Sequence, residues 1–155
     1  MLIRKATLSD VPVIVRMTND GGPDGKPRET LPEILPPHYE NTFKQIDADP
    51  TTSLMVAEID GKIVGTFHLS FLWYLAGKGR PDAQVEAVHV AREYRSQGIG
   101  SEMMRWVISE AKKKDCRRVQ LTTNRDRKDA HRFYERLGFT PSHHGMKLVL
   151  STTRG

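Results

Sequence analysis

An alternating apolar run, Val85 to Val90, leads into Arg95-Ser96-Gln97-Gly98-Ile99-Gly100, and that turn opens an amphipathic stretch from Ile99 to Lys114. The pattern predicts a strand, a glycine-bearing turn and a helix in direct succession. Such a succession aims backbone N–H groups and the positive end of a helix dipole at one point, which makes an anion site. Gly98 and Gly100 leave out side chains where an anion has to come close.

Two well-known anion turns do not fit. A dinucleotide fingerprint needs a third glycine at position 103, which is Met103. A P-loop needs Gly-Lys-Ser/Thr, whereas Gly100 is followed by Ser101-Glu102.

Length and composition narrow the class further. A chain of 155 residues with 37% hydrophobic and 28% charged residues suits a single soluble globular domain, 1–155, with a loose tail over 151–155. No apolar run reaches the roughly 20 residues of a membrane span, and Met1-Leu2-Ile3-Arg4 is not a secretory leader. The lone Cys116 excludes an internal disulfide and suits a reducing, cytoplasmic setting. The net charge of +5 is spread over Lys112-Lys113-Lys114, Arg117-Arg118 and the Arg125–Arg136 stretch. It lacks the aromatic interleaving of an RNA-binding sheet, so no nucleic-acid partner is expected. His143-His144 are adjacent, point to opposite faces of a strand, and define no metal site.

The rest of the chain supplies the frame. Ile3 to Ala6 reads as a strand, followed by a helix capped at Ser9 with Pro12 in its first turn. Residues 21–27 form a loop by composition. A second helix follows Pro36-Pro37, with Tyr39, Phe43 and Ile46 facing inward, and stops at Asp49-Pro50. Ser53–Ile59 and Lys62–Tyr74 flank an Asp60-Gly61 hairpin turn. Ala83–Ala91, the Ile99 helix and Arg118–Thr123 come next. A helix capped at Asp126 then runs through Leu137, with Gly138 placed to end it. Phe139 starts a last strand that resumes at 146–150. The fold class is α/β (α+β): a mixed sheet with helices on both faces.

Two patterns together carry a resemblance. Arg95, Gly98 and Gly100 match R/Q-x-x-G-x-G/A after a strand. Ala130, Phe133, Tyr134, Gly138 and Phe139 match A-x-x-F-Y-x-x-x-G-F. The chain resembles the Gcn5-related N-acetyltransferases, strongest from Val85 to Phe139, with a weaker likeness to the small-amine and aminoalkylphosphonate type. The resemblance implies a mostly antiparallel sheet and transfer of acetyl from acetyl-CoA to a primary amine, most readily a small molecule's. A protein or peptide amine, and a silent acyl-CoA-binding module, are the alternatives. The chain departs from the family at Arg92, where proline is common, at Ser96, where glycine is common, and at Arg127, where asparagine is common.

The resemblance also assigns residues. Arg95, Ser96, Gln97, Gly98, Ile99, Gly100 and Ser101 would cradle the CoA pyrophosphate. The strand at Val88, His89 and Val90 would pair with the pantetheine arm, which requires a bulge near His89 or Val90. The Val90 N–H would polarise the thioester carbonyl. Asn124 and Tyr134 would also contact the cosubstrate. An alkylammonium with a pKa near ~10.4 must lose a proton before attack. Glu86, on an otherwise apolar strand, is the candidate base because burial would tune it. In a regular strand it shares a face with Val88 and Val90. Tyr134 is the candidate acid for the departing thiolate, acting through a hydrogen bond. The alternatives are a salt-bridged or edge-exposed Glu86 and a core Tyr134. The aromatic run Phe71-Leu72-Trp73-Tyr74, together with Tyr39, Glu29, Glu33 and His143, is an acceptor wall, the contact of a homodimer, or core. No metal is expected.

Overall fold

The computed structural model describes residues 1–20 and 26–150. The expected loop at 21–27 falls mostly outside them, and the expected tail wholly so. The chain forms two compact units, Met1–Leu121 and Thr122–Gly155.

In the first unit, β1 (Leu2–Lys5) leads through a 3-10 turn, Leu8–Asp10, into α1 (Val11–Asn19) and then α2 (Pro37–Ala48). Strands β2 (Thr52–Ile59), β3 (Lys62–Leu72) and β4 (Asp82–Val90) follow, then a 3-10 turn at Arg92–Tyr94, α3 (Ile99–Lys113) and β5 (Val119–Leu121). The five strands form one sheet in the order β1-β2-β3-β4-β5, antiparallel except for the parallel β4–β5 pair. That parallel pair needs a crossover, which α3 provides.

Helices cover both faces of this sheet. Val56 is opposite Thr66 on β3, so the two share a face, and Phe67 points the other way. Val56 packs with Ala6, just after β1, and with Val11, Ile14 and Phe43, inward residues of α1 and α2. Phe67 meets Trp106 of α3 with ring centroids 5.9 Å apart. Phe67, Met103, Met104 and Val107 are fully buried. Each such side chain contributes roughly 1.5–3 kcal/mol of burial. Asp82, also fully buried, ties the start of β4 to the chain entering β5. It accepts two hydrogen bonds from Arg117, each 2.9 Å, and one from Arg118 at 3.0 Å.

The start of α1 differs from expectation. Asp10, not Ser9, organises it: its carboxylate accepts from the Thr7 N–H at 2.8 Å, the Thr7 hydroxyl at 2.9 Å and Arg4 at 2.7 Å. A buried carboxylate three residues on satisfies these donors better than a serine at position 9 could.

The second unit holds α4 (Lys128–Arg136). Its N-cap is Arg127, not Asp126; Asp126 lies in the preceding turn, where its N–H donates to Asn124 Oδ1 at 2.9 Å. The helix does stop at Gly138, which adopts φ +91°. The expected last strand at 139 and 146–150 is not formed among the described residues. Met146 and Leu148 are 94% and 85% exposed. Alternation marks which side chains could share a face, but a strand also needs a partner edge, and among the described residues no ladder includes this segment. Among the described residues no helix is long and apolar enough to cross a membrane.

Candidate active site

The strand-to-helix junction has the geometry of an anion turn. Arg95 leaves the 3-10 turn extended, Ser96 takes φ +61°, and Gly98, the N-cap of α3, takes φ +84°. No side chain caps α3. The first intrahelical bond runs from the Glu102 N–H to the Gly98 carbonyl at 3.0 Å. The preceding amides of Ile99, Gly100 and Ser101 are therefore the donors a helix start leaves over. The turn's two long side chains brace it. Arg95 Nε donates to the Val90 carbonyl at 3.1 Å, and Gln97 Nε2 to the Glu93 carbonyl at 2.8 Å. Both hydrogen bonds run to backbone carbonyls.

The strand feeding this turn carries a bulge. His68 is opposite Glu86 and Thr66 is opposite His89, so Phe67 alone faces two residues, Ala87 and Val88. Ala87 has φ +49°, an unusual backbone state for a residue with a side chain. The bulge lies one to three residues before the expected positions His89 and Val90. It also changes which residues share a face. Directly opposed residues lie on one side of a sheet, so Glu86 shares its face with His68, Thr66 and His89. The regular-strand grouping of Glu86 with Val88 and Val90 does not occur.

Glu86 is exposed, and Gln84 Nε2 donates to its Oε1 at 2.7 Å. The burial expected to tune it is absent. Beside it on the same face is a polar row that the sequence did not disclose. Thr52 Oγ1 lies 2.7 Å from His68 Nε2 and 2.7 Å from Ser70 Oγ. His68 is half-buried; desolvation lowers its pKa, while the charges of Glu86 and Asp49 oppose that shift. No spacing in the sequence pairs His68 with Glu86. The β3–β4 register does so, and a bulge makes that register hard to read in advance.

In the second unit, Tyr134 is half-buried. Phe133 lies beside it with ring centroids 4.9 Å apart, and Phe139 at 5.7 Å. Burial raises the pKa of its hydroxyl, and the nearby Arg127 charge opposes the rise. The group is a hydrogen-bond donor at neutral pH. Asn124 commits its side-chain oxygen to the Asp126 amide and its backbone carbonyl to Arg127 and His131. Thr123 Oγ1 is buried with no hydrogen-bond partner among the described residues.

Of the residues expected at an acceptor wall, Tyr39 donates to Glu29 at 2.8 Å, and Phe71 lies under the Lys114 ammonium at 5.0 Å. Trp73 is 61% exposed. Glu33 and Tyr39 line a cavity of about 610 Å³ beside the start of α1.

The Acetyltransferase (GNAT) family model matches residues 23–139, and the chain belongs to that family. It is 33% identical over 95 residues to the aminoalkylphosphonate N-acetyltransferase of Salmonella typhimurium, covering 61% of each chain. The matched stretch spans between 43% and 65% of the first three curated relatives. The crystal structure of a transcriptional regulator from Bacillus halodurans is similar at a TM-score of 0.88 and 40% identity, over 96% of this chain and 99% of that one. Glucosamine-6-phosphate N-acetyltransferase from Arabidopsis thaliana shares the fold at a TM-score of 0.77 and 18% identity, over 97% and 98%.

Proposed function

We propose that this chain, acting as one domain, is an N-acetyltransferase that uses acetyl-CoA and acetylates a primary amine of a small molecule by direct attack. The observation that carries the reading is the continuous path from the Ala87 bulge to the uncapped start of α3. A bulge frees strand N–H and C=O groups for an amide-rich arm, and the helix start offers amides to a pyrophosphate.

Acetyl-CoA supplies an acyl group activated as a thioester. The amides of Ile99, Gly100 and Ser101 hold its pyrophosphate, and Ser96 and Gly98 set the turn that aims them. Arg95 fixes that turn to Val90. The backbone of Val88, His89 and Val90 orients the arm, and the Val90 N–H polarises the acyl carbonyl. Glu86 attracts the cationic acceptor. Tyr134 donates its hydroxyl hydrogen to the departing sulfur; its raised pKa favours a hydrogen bond over complete proton transfer. The likeness to an aminoalkylphosphonate N-acetyltransferase supports a small acceptor.

The test is CoA release from acetyl-CoA with a panel of amines: aminoalkylphosphonates, amino sugars, polyamines and peptides with free N-termini, each with and without a chelator. Glu86→Gln and Tyr134→Phe should both slow release. Acetyl-CoA binding without release by any amine would favour a silent binding module. Turnover of peptides alone would move the acceptor class to proteins.

A further inference from the structure

Glu86 is exposed, whereas the half-buried group beside it on the acceptor face is an imidazole. His68 and Glu86 are directly opposed across β3 and β4. On its other side His68 Nε2 meets Thr52 Oγ1 at 2.7 Å, and Thr52 Oγ1 meets Ser70 Oγ at 2.7 Å. Two directions satisfy the row, and in one of them Nε2–H donates to Thr52 and Thr52 donates to Ser70. That tautomer leaves the Nδ1 lone pair as the proton acceptor.

Resting on the acetyltransferase reading above, we propose that His68 is a catalytic residue of this protein: it takes the proton from the acceptor ammonium, while Glu86 holds the cation and then stabilises the imidazolium. The balance is simple. R–NH3⁺ and neutral His68 become R–NH2 and protonated His68. The amine lone pair so released forms the new C–N bond as the thioester C–S bond breaks; the nitrogen's second surplus proton goes to the departing thiolate, giving amide and CoA thiol, and the imidazolium returns the first to solvent.

The groups around His68 suit this role. Glu86 and His89 share its face from β4, and Asp49 at the end of α2 contributes a second negative charge. The facing positions of β2, Thr52 and Leu54, are uncharged. The single charge of α1, Arg16, is held by the carbonyls of Pro32 and Glu33 at 3.1 and 2.8 Å. Desolvation favours neutral His68, and the two carboxylates limit that effect. A base is most effective when it titrates near the working pH.

The test measures kcat/KM for whichever amine of the panel is turned over, against pH, at saturating acetyl-CoA. Wild type should show an acid limb as His68 loses its proton. His68→Gln should be about 100-fold slower near neutrality and lose that limb. The deficit should shrink below about tenfold near pH 9.5, where solution supplies more of the free amine. The KM for acetyl-CoA should hold. A loss equal at every pH, or none, would overturn the proposal. A second readout needs no turnover: NMR titration of the His68 imidazole in wild type and Glu86→Gln. Removing the carboxylate should lower the His68 midpoint, and an unmoved midpoint would overturn the pairing even where His68→Gln does not fold. An inactive wild type with a moving midpoint would sink the acetyltransferase reading and leave the proton-binding pair standing.

Discussion

Phe139 donates its amide to the Tyr134 carbonyl at 3.1 Å, and the two rings meet edge to face with centroids 5.7 Å apart. With Gly138 N–H donating to the Glu135 carbonyl at 2.9 Å, these contacts form a Schellman stop to α4. The spacing Tyr134–Gly138–Phe139, which first reads as a family signature, is also a helix terminator with its hydrophobic clasp. Gly138→Ala should therefore destabilise the chain by about 1 kcal/mol through φ alone, since a Cβ there meets nothing within 4 Å. A melting point lower by about 2–4 °C is the expected result.

The same clasp makes Tyr134→Phe a clean probe of the hydroxyl. The ring contacts to Phe133 and Phe139 survive, so the melting point should barely move. The kcat should fall about 10- to 100-fold, at or below the usual range for a general acid. Because burial raises the Tyr134 pKa, any alkaline loss of wild-type rate from this group should begin above about pH 10. Steady-state kinetics on both proteins checks each point.

At the start of α3, Gly98 and Ser96 should respond differently. Gly98→Ala meets no atom within 4 Å but imposes a side chain at φ +84°, at a cost of about 1 kcal/mol. It should also weaken CoA binding, because relaxing that strain would re-aim the Ile99 and Gly100 amides. Ser96→Gly relieves a similar strain at φ +61° while loosening the unfolded chain, so its net effect should lie within about 0.5 kcal/mol of zero. Calorimetric titration with CoA and thermal melts would separate the two.

Acid stability should report on Asp10. Its hydrogen bond with Arg4 is the main cause of its lowered pKa, about 2, with the Thr7 hydrogen bonds adding and desolvation opposing. A carboxylate with a depressed folded-state pKa contributes stability above its unfolded value near 4, and loses it as pH falls through about 2. For this largely buried group the contribution is roughly 2 kcal/mol. Urea midpoints should fall between pH 4 and 2 in wild type. Asp10→Asn should lower the midpoint at neutral pH and flatten that decline.

Much of the fold is written locally. The Asp60-Gly61 turn, the helix after Pro36, the glycine turn before Ile99 and the stop at Gly138 each depend on a few neighbouring residues, so their chemistry is visible in the chain. Cap identity was harder. Asp10 outcompetes Ser9 because it also meets Arg4, and Asn124 takes the amide of Asp126, the residue expected to cap α4. The strand expected at 146–150 shows the limit of alternation, which names a face without supplying a partner edge.

The sequence by itself determined the strand–turn–helix succession: its parts are contiguous, so the left-over amides of Ile99 to Ser101 at the start of α3 follow from spacing. The tertiary structure decided the polar face that His68 and Glu86 share. Glu86 and His68 lie eighteen positions apart on different strands, and only pairing makes them neighbours. The extra residue at Ala87–Val88 then decides which of β4's side chains join them. Register is a property of two strands together, so neither strand's sequence contains it.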